Sequence, residues 1–146
     1  MSYYLRQEMS YDLRQAEVRG FYILLSMTVL IADDSSLIRT NLTKLITRTR
    51  EDISIKESFD VESTLRELES LPADVLILDI GFPDGSGFDV LRRLDNYTHK
   101  PFVMVLTNQT GRKVREQSLK MGADLFFDKT EEYERVVEEI IRLHHS

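Results

Sequence analysis

Four short apolar runs each end in a side chain able to do chemistry. Val75-Leu-Ile-Leu78 ends in Asp79, and a glycine-punctuated loop, Ile80-Gly-Phe-Pro-Asp-Gly-Ser-Gly87, follows it. Val29 to Ala32 ends in the adjacent carboxylates Asp33 and Asp34, Phe102 to Leu106 in the hydroxyl of Thr107, and Leu125 to Asp128 delivers Lys129. In an open parallel α/β sheet, ligands gather in the crevice outside the carboxyl ends of the strands, so these four ends can converge on one site. Three carboxylates, one hydroxyl and one ammonium would meet there. Crowded carboxylates raise one another's pKa values unless a cation compensates them, so electrostatic chemistry around bound positive charge is the expectation.

The elements that must position these groups follow from periodicity. From Met27 onward, runs rich in valine, isoleucine and leucine alternate with helix-period segments, the pattern of βα units around a parallel sheet. Leu37, Ile38, Leu42, Leu45 and Ile46 predict a first helix, capped by Asp34, Ser35 or Ser36. A strand is expected around Ile53 to Phe59, then a helix carrying Val61, Leu65, Leu68 and Leu71 and closed by Pro72. Val75 to Leu78 is apolar at every position, as a central strand covered on both faces must be. Phe88, Leu91 and Leu94 mark a third helix; Val114, Ser118 and Met121 give a weaker fourth, ending at Gly122. A last helix, with Val136, Val137, Ile140 and Ile141 inward, is expected to begin after Thr130, with Glu131 and Glu132 in its first turn. The prediction is a flavodoxin-like (βα)5 doubly wound fold with a parallel five-stranded sheet of order 2-1-3-4-5. Its switch point lies between the first and third strands, where Asp33, Asp34 and Asp79 emerge.

Bulk properties bound the function. The 146 residues suit one domain with a real core, and the chain has no cysteine, which removes disulfides, thiolate metal sites and thiol nucleophiles and is compatible with a cytoplasmic location. A net charge of −6, with both signs interspersed, argues against direct contact with nucleic acid, which needs a clustered basic face. The longest apolar stretch, Phe21 to Ala32, is too short and too interrupted to span a membrane. Residues 1–26 stand apart: Ser2-Tyr-Tyr-Leu-Arg-Gln7 recurs as Ser10-Tyr-Asp-Leu-Arg-Gln15, without the profile of a signal peptide. They read as an accessory arm, as residues preceding a natural start at Met27, or as a docking arm whose Tyr3, Tyr4, Leu5, Met9 and Leu13 cover a second subunit.

The acids Asp33-Asp34, the Asp79-Ile-Gly-Phe-Pro-Asp-Gly-Ser-Gly87 segment, Thr107 and Lys129, in this order and each at a strand end, resemble the receiver domain of two-component response regulators over roughly residues 27–143. The resemblance implies that Asp79 is the phosphoacceptor, taking a phosphoryl group from a phosphohistidine on a sensor histidine kinase or histidine phosphotransfer protein. It implies Mg2+ held by Asp34, Asp79 and the backbone carbonyl of Gly81, with Asp33 direct or through water. It implies that Lys129 and Thr107 meet the phosphoryl oxygens, and that Thr107 and Phe126 form the switch, with Phe127 in the core. A carboxylate attacking a phosphoryl group approaches a strongly anionic centre, so cation charge must offset the repulsion; Mg2+, with its taste for oxygen ligands and retained waters, fits. Driving the switch from 1:99 to 99:1 takes about 5.5 kcal/mol of differential stabilisation. The readout is expected on the fourth helix, fifth strand and fifth helix, a face that could also carry a dimer.

Plainer roles exist beside these. One of Asp33 and Asp34 is readily a helix cap, Asp84 a turn residue rather than a ligand, and His99, His144 and His145 solvated. Thr130 stands where many receivers have a cis proline, so a trans Lys129–Thr130 bond is expected. Asn108 stands where the family usually has alanine or glycine, a bulk that narrows access to the phosphoryl group, and Gly81 and Gln109 occupy positions that in the family tune the lifetime of the acyl phosphate, which together point to an altered dephosphorylation rate. With the last helix ending near Ser146, a stand-alone receiver acting by protein contact or phosphoryl relay is the leading expectation. The alternatives are a receiver-fold interaction module that works without phosphorylation and, less favoured, an aspartyl-phosphate hydrolase, which wants a second aspartate where Gly81 stands.

Overall fold

The computed structural model describes residues 27–144. The expectations for residues 1–26 and for His145 lie outside the described residues. The elements run β1 (Thr28–Ala32), α1 (Ser36–Thr49), β2 (Ser54–Ser58), α2 (Val61–Ser70), β3 (Val75–Leu78), β4 (Gly81–Phe82), β5 (Gly85–Ser86), α3 (Gly87–Leu94), β6 (Phe102–Thr107), α4 (Arg112–Lys120), β7 (Leu125–Asp128) and α5 (Tyr133–His144). The five long strands form one parallel sheet, ordered β2-β1-β3-β6-β7, which is the expected 2-1-3-4-5 order once the short β4–β5 hairpin is set aside.

Period-two alternation sorts the strand residues between two cores. On one face Leu30, Leu76, Leu78, Val103 and Val105 pack with Leu68, Val90 and Leu91 from α2 and α3. On the other, Val29, Ile31, Ile77, Met104 and Leu106 pack with Leu42 and Ile46 of α1 and Val136 and Ile140 of α5. Both faces being covered explains why β3 has no polar position. Burying each such Leu, Ile or Val side chain contributes about 1.5–3 kcal/mol, which is what holds the strand ends in register.

Local chemistry sets the helix ends. Ser35 caps α1 by accepting from Ile38 N. Capping boxes at Asp60 with Ser63, and at Ser86 with Asp89, start α2 and α3. The chain leaves α4 through Gly122 at φ 111°, a left-handed conformation that glycine adopts freely. Among the described residues no peptide bond is cis, so Lys129–Thr130 is trans as expected.

Two expectations are corrected. The last helix begins at Tyr133 rather than just after Thr130, so Glu131 and Glu132 precede it and Glu134 is its first-turn acid. The cause is a turn in which Asp128 accepts from Thr130 N at 2.8 Å while the Glu132 carboxylate accepts from Asp128 N at 3.1 Å. His144 is not solvated: it is 2% exposed, and its Nε2 lies 2.9 Å from Asp52 Oδ2, which ties the end of α5 to the loop before β2. His99 is exposed as expected.

Candidate functional site

The chain leaves β1 for β2 on one side and later returns to β3 on the other, so the sheet's switch point lies at β1 and β3. Parallel hydrogen bonding continues just past the strand ends: Asp33 N donates to Ser58 O, Asp79 N to Ala32 O and Lys129 N to Thr107 O, at 3.1, 3.0 and 2.9 Å. These bonds fix the backbone from which each functional side chain projects, so the sheet itself sets their spacing.

Asp33, Asp34 and Asp79 come together, each offering an oxygen within 4.8 Å of the others'. Asp33 and Asp79 are 3% and 8% exposed, while Asp34 opens to solvent. Lys129 reaches across the β6 strand end and places its ammonium 2.6 Å from Asp33 Oδ2 and 2.7 Å from Asp79 Oδ2. The remaining oxygens of the buried acids are also satisfied: Asp33 Oδ1 accepts from Ser35 N at 2.9 Å and Asp79 Oδ1 from Ile80 N at 2.7 Å. Arg39 donates to the carbonyl of Asp33 at 2.7 Å and pairs with Glu57, pinning the acidic loop from behind.

The electrostatics follow from this crowding. Burial pushes the Asp33 carboxyl above its usual range, and the hydrogen bonds from Lys129 and Ser35 offset only part of that. For Lys129, burial alone would lower the ammonium, but the two carboxylates it touches prevail and hold it above its usual value. It is therefore a full positive charge at neutral pH. Three oxygen-only ligands around an opening, with no sulfur or nitrogen donor, match a hard cation such as Mg2+.

Thr107 is completely buried, and its hydroxyl accepts from Gln109 N at 3.2 Å. Gly81 sits in the β4–β5 hairpin, where a Cβ would lie 2.9 Å from the Gln109 side-chain amide, so this glycine and this glutamine share one space at the rim. Asn108 is exposed, and its carboxamide oxygen accepts from the Thr130 hydroxyl at 3.3 Å. Phe126 lies in the α2–α3 side core with the Arg115 guanidinium over its ring, while Phe127 lies in the other core. Asp84, read as a turn residue, occupies the hairpin turn and does more: its carboxylate accepts from Val61 N and Glu62 N at 2.8 and 3.1 Å, bracing the start of α2.

Sequence reasoning passed over Arg39 and Tyr133. Each lies inside a helical stretch, and no motif distinguishes it; only tertiary packing brings Arg39 to the Asp33 carbonyl and encloses the Tyr133 hydroxyl.

The sequence profile of the response regulator receiver domain matches residues 29–141. Sensory transduction protein LytT of Bacillus subtilis (strain 168) is 33% identical over 81 residues, covering 56% of this chain and 34% of that protein. A protein-glutamate methylesterase/protein-glutamine glutaminase of Koribacter versatilis is 30% identical over 119 residues, covering 77% of this chain and 33% of that protein. The chain thus spans about a third of the length of these curated relatives. Among solved structures, the signal receiver domain of a DNA binding response regulator from Colwellia psychrerythraea 34H superposes with a TM-score of 0.76 at 20% identity, over 82% of this chain and 99% of that one.

Proposed function

The chain belongs to the response regulator receiver domain family, and from that premise we propose that it accepts a phosphoryl group on Asp79 from a phosphohistidine donor and signals through a change of shape. One observation carries the reading: Asp33, Asp34 and Asp79 gather beside the Lys129 ammonium at the carboxyl edge of the sheet, with Thr107 at the end of the intervening strand.

In the transfer, an Asp79 carboxylate oxygen attacks phosphorus, the P–N bond to the donor imidazole breaks, and the imidazole nitrogen keeps that electron pair. A mixed anhydride on Asp79 results, which water later hydrolyses. Asp33, Asp34, Asp79 and the Gly81 carbonyl would hold Mg2+, which when bound offsets the negative charge of the incoming group. Lys129, already 2.7 Å from Asp79, supplies the second positive charge, and the Thr107 hydroxyl turns from Gln109 N to donate to a phosphoryl oxygen. Phe126, next to Val105 in the adjoining strand, follows that movement and alters the α4–β7–α5 face, where a downstream protein or a second copy would read it.

The donor, a sensor histidine kinase or histidine phosphotransfer protein, meets the carboxyl edge, where Leu37 and Phe59 leave apolar surface 67% and 54% exposed. A cytoplasmic location belongs to the same reading. The test is intact mass after Mg2+ and acetyl phosphate. One phosphoryl adduct on the native chain and none on Asp79→Asn is expected; no adduct on either would favour an interaction module that works without phosphorylation.

A further inference from the structure

Arg39, near the start of α1, uses its guanidinium in two directions. Nη1 donates to the Asp33 carbonyl at 2.7 Å, and Nε donates to Glu57 Oε1 on β2 at 3.0 Å. A positive charge beside a cluster that is to hold a cation is electrostatically adverse, so its presence asks for a reason. The pair with Glu57 is a weak one: that side chain is 45% exposed, and ion pairs open to water contribute little. The Arg39 side chain itself is only 17% exposed, and its shorter contact is the one to the carbonyl.

That carbonyl belongs to the peptide bond joining Asp33 to Asp34. Asp33 is held at each of its other polar atoms: its N–H donates to Ser58 O at 3.1 Å, Oδ1 accepts from Ser35 N, and Oδ2 meets the Lys129 ammonium. Asp34 is held differently. It stands exposed at a bend between β1 and α1, and its carboxylate makes no hydrogen bond or ion pair among the described residues, yet it offers an oxygen within 4.8 Å of those of Asp33 and Asp79. Only the backbone aims this ligand. Arg39 fixes the peptide plane that precedes it, and the planar fork is fixed in turn by α1 and by Glu57.

We propose that Arg39 is a positioning residue of the cation site, holding the Asp33–Asp34 peptide so that the Asp34 carboxylate converges on the oxygens of Asp33 and Asp79. The inference rests on the phosphoacceptor reading. It makes Arg39 the reverse of Lys129: both charges repel an entering Mg2+, but the orientation that Arg39 imposes outweighs its repulsion, so its removal weakens binding.

The test is calorimetric titration with Mg2+, without any phosphoryl donor, alongside thermal unfolding in the absence of metal. Arg39→Met should raise the Mg2+ dissociation constant about tenfold, the loss of one hydrogen bond from a charged donor, although charge alone predicts tighter binding. Arg50→Met, which breaks the ion pair with Asp52 at the other end of the sheet, should bind Mg2+ like the native chain. In an Asp34→Ala background, adding Arg39→Met should produce no further weakening, because the ligand it aims is gone. Native-like or tighter binding by Arg39→Met, equal weakening by Arg50→Met, or the same tenfold loss with and without Asp34 would overturn the inference. A native chain that binds no Mg2+ would remove the metal-assisted phosphoacceptor reading itself, and this one with it.

Discussion

Lys129 Nζ lies 2.7 Å from Asp79 Oδ2 although fifty positions separate the two residues in the chain. The same ammonium lies 2.6 Å from Asp33, so at rest it is the cation that holds two buried carboxylates together. An Mg2+ ion entering the cluster meets this charge as a repulsion.

Lys129→Met should therefore bind Mg2+ more tightly, by roughly tenfold, the size of one like-charge interaction at partly solvated distance. Phosphorylation by acetyl phosphate should be slower in the same variant, since the phosphoryl oxygens lose their second cation. Calorimetric titration with Mg2+ decides the point; weaker binding in the variant would sink it. Because Lys129 is held above its unfolded value of 10.5, its contribution to stability is fully present below that pH and is lost only as pH rises through the higher folded value.

Gly81 in the hairpin and Gly87 just after it should respond oppositely to alanine. At Gly87 a Cβ would lie 2.3 Å from the Asp79 carbonyl and 3.1 Å from Ile80 Cα, backbone that cannot give way without moving Asp79. Gly87→Ala should lose about 2–3 kcal/mol in denaturant unfolding and most of its phosphorylation. At Gly81 the obstacle is the flexible Gln109 amide, so Gly81→Ala should keep its stability within about 0.5 kcal/mol while changing the decay rate of 32P-labelled protein. A Gly81→Ala decay curve superimposable on the native one would end the idea that this pair tunes the lifetime of the acyl phosphate. The double variant Asn108→Ala with Gln109→Ala tests the same idea from the other side.

The ion pair at the opposite end of the sheet gives a pH signature. Burial alone would raise the Asp52 carboxyl, but the Arg50 hydrogen bond and the charges of His144 and Arg50 hold it below its usual value. A depressed carboxylate stabilises the fold above its unfolded pKa of 3.8, and that contribution is lost as pH falls through the lower folded value. Asp52→Asn should lose about 1 kcal/mol at pH 7, and the gap to the native chain should close on acidification below 3.8. A gap that persists in acid would assign the loss to packing instead.

Leu37, in the first turn of α1 beside the acidic loop, should separate transfer from chemistry. Leu37→Ser removes exposed apolar surface and should leave thermal stability within about 0.5 kcal/mol. Labelling by acetyl phosphate should be unchanged, whereas transfer from a phosphohistidine protein should slow several-fold. Equal slowing with both donors would place the effect in the site rather than in docking.

Much of the molecule was legible in the sequence because its signals are local. The all-apolar run Val75 to Leu78 can only be a strand covered on both faces, and acids, hydroxyl and ammonium at successive strand ends converge wherever parallel strands share a direction. Helix starts were readable where a cap advertised them, as at Ser35. The start of α5 was not, because it depends on Asp128 and Glu132 folding back on a turn that competes with the helix. His144 looked like a solvated terminal histidine until packing set it against Asp52. The sequence by itself determined the sheet, its order and the residue types at its carboxyl edge. Only the tertiary structure decided which oxygens Lys129 bridges, that Gln109 fills the space over Gly81, and that the Tyr133 hydroxyl is enclosed. Those relationships join residues tens of positions apart on different strands and helices, and the side-chain packing that sets their distances leaves no periodic trace in the chain.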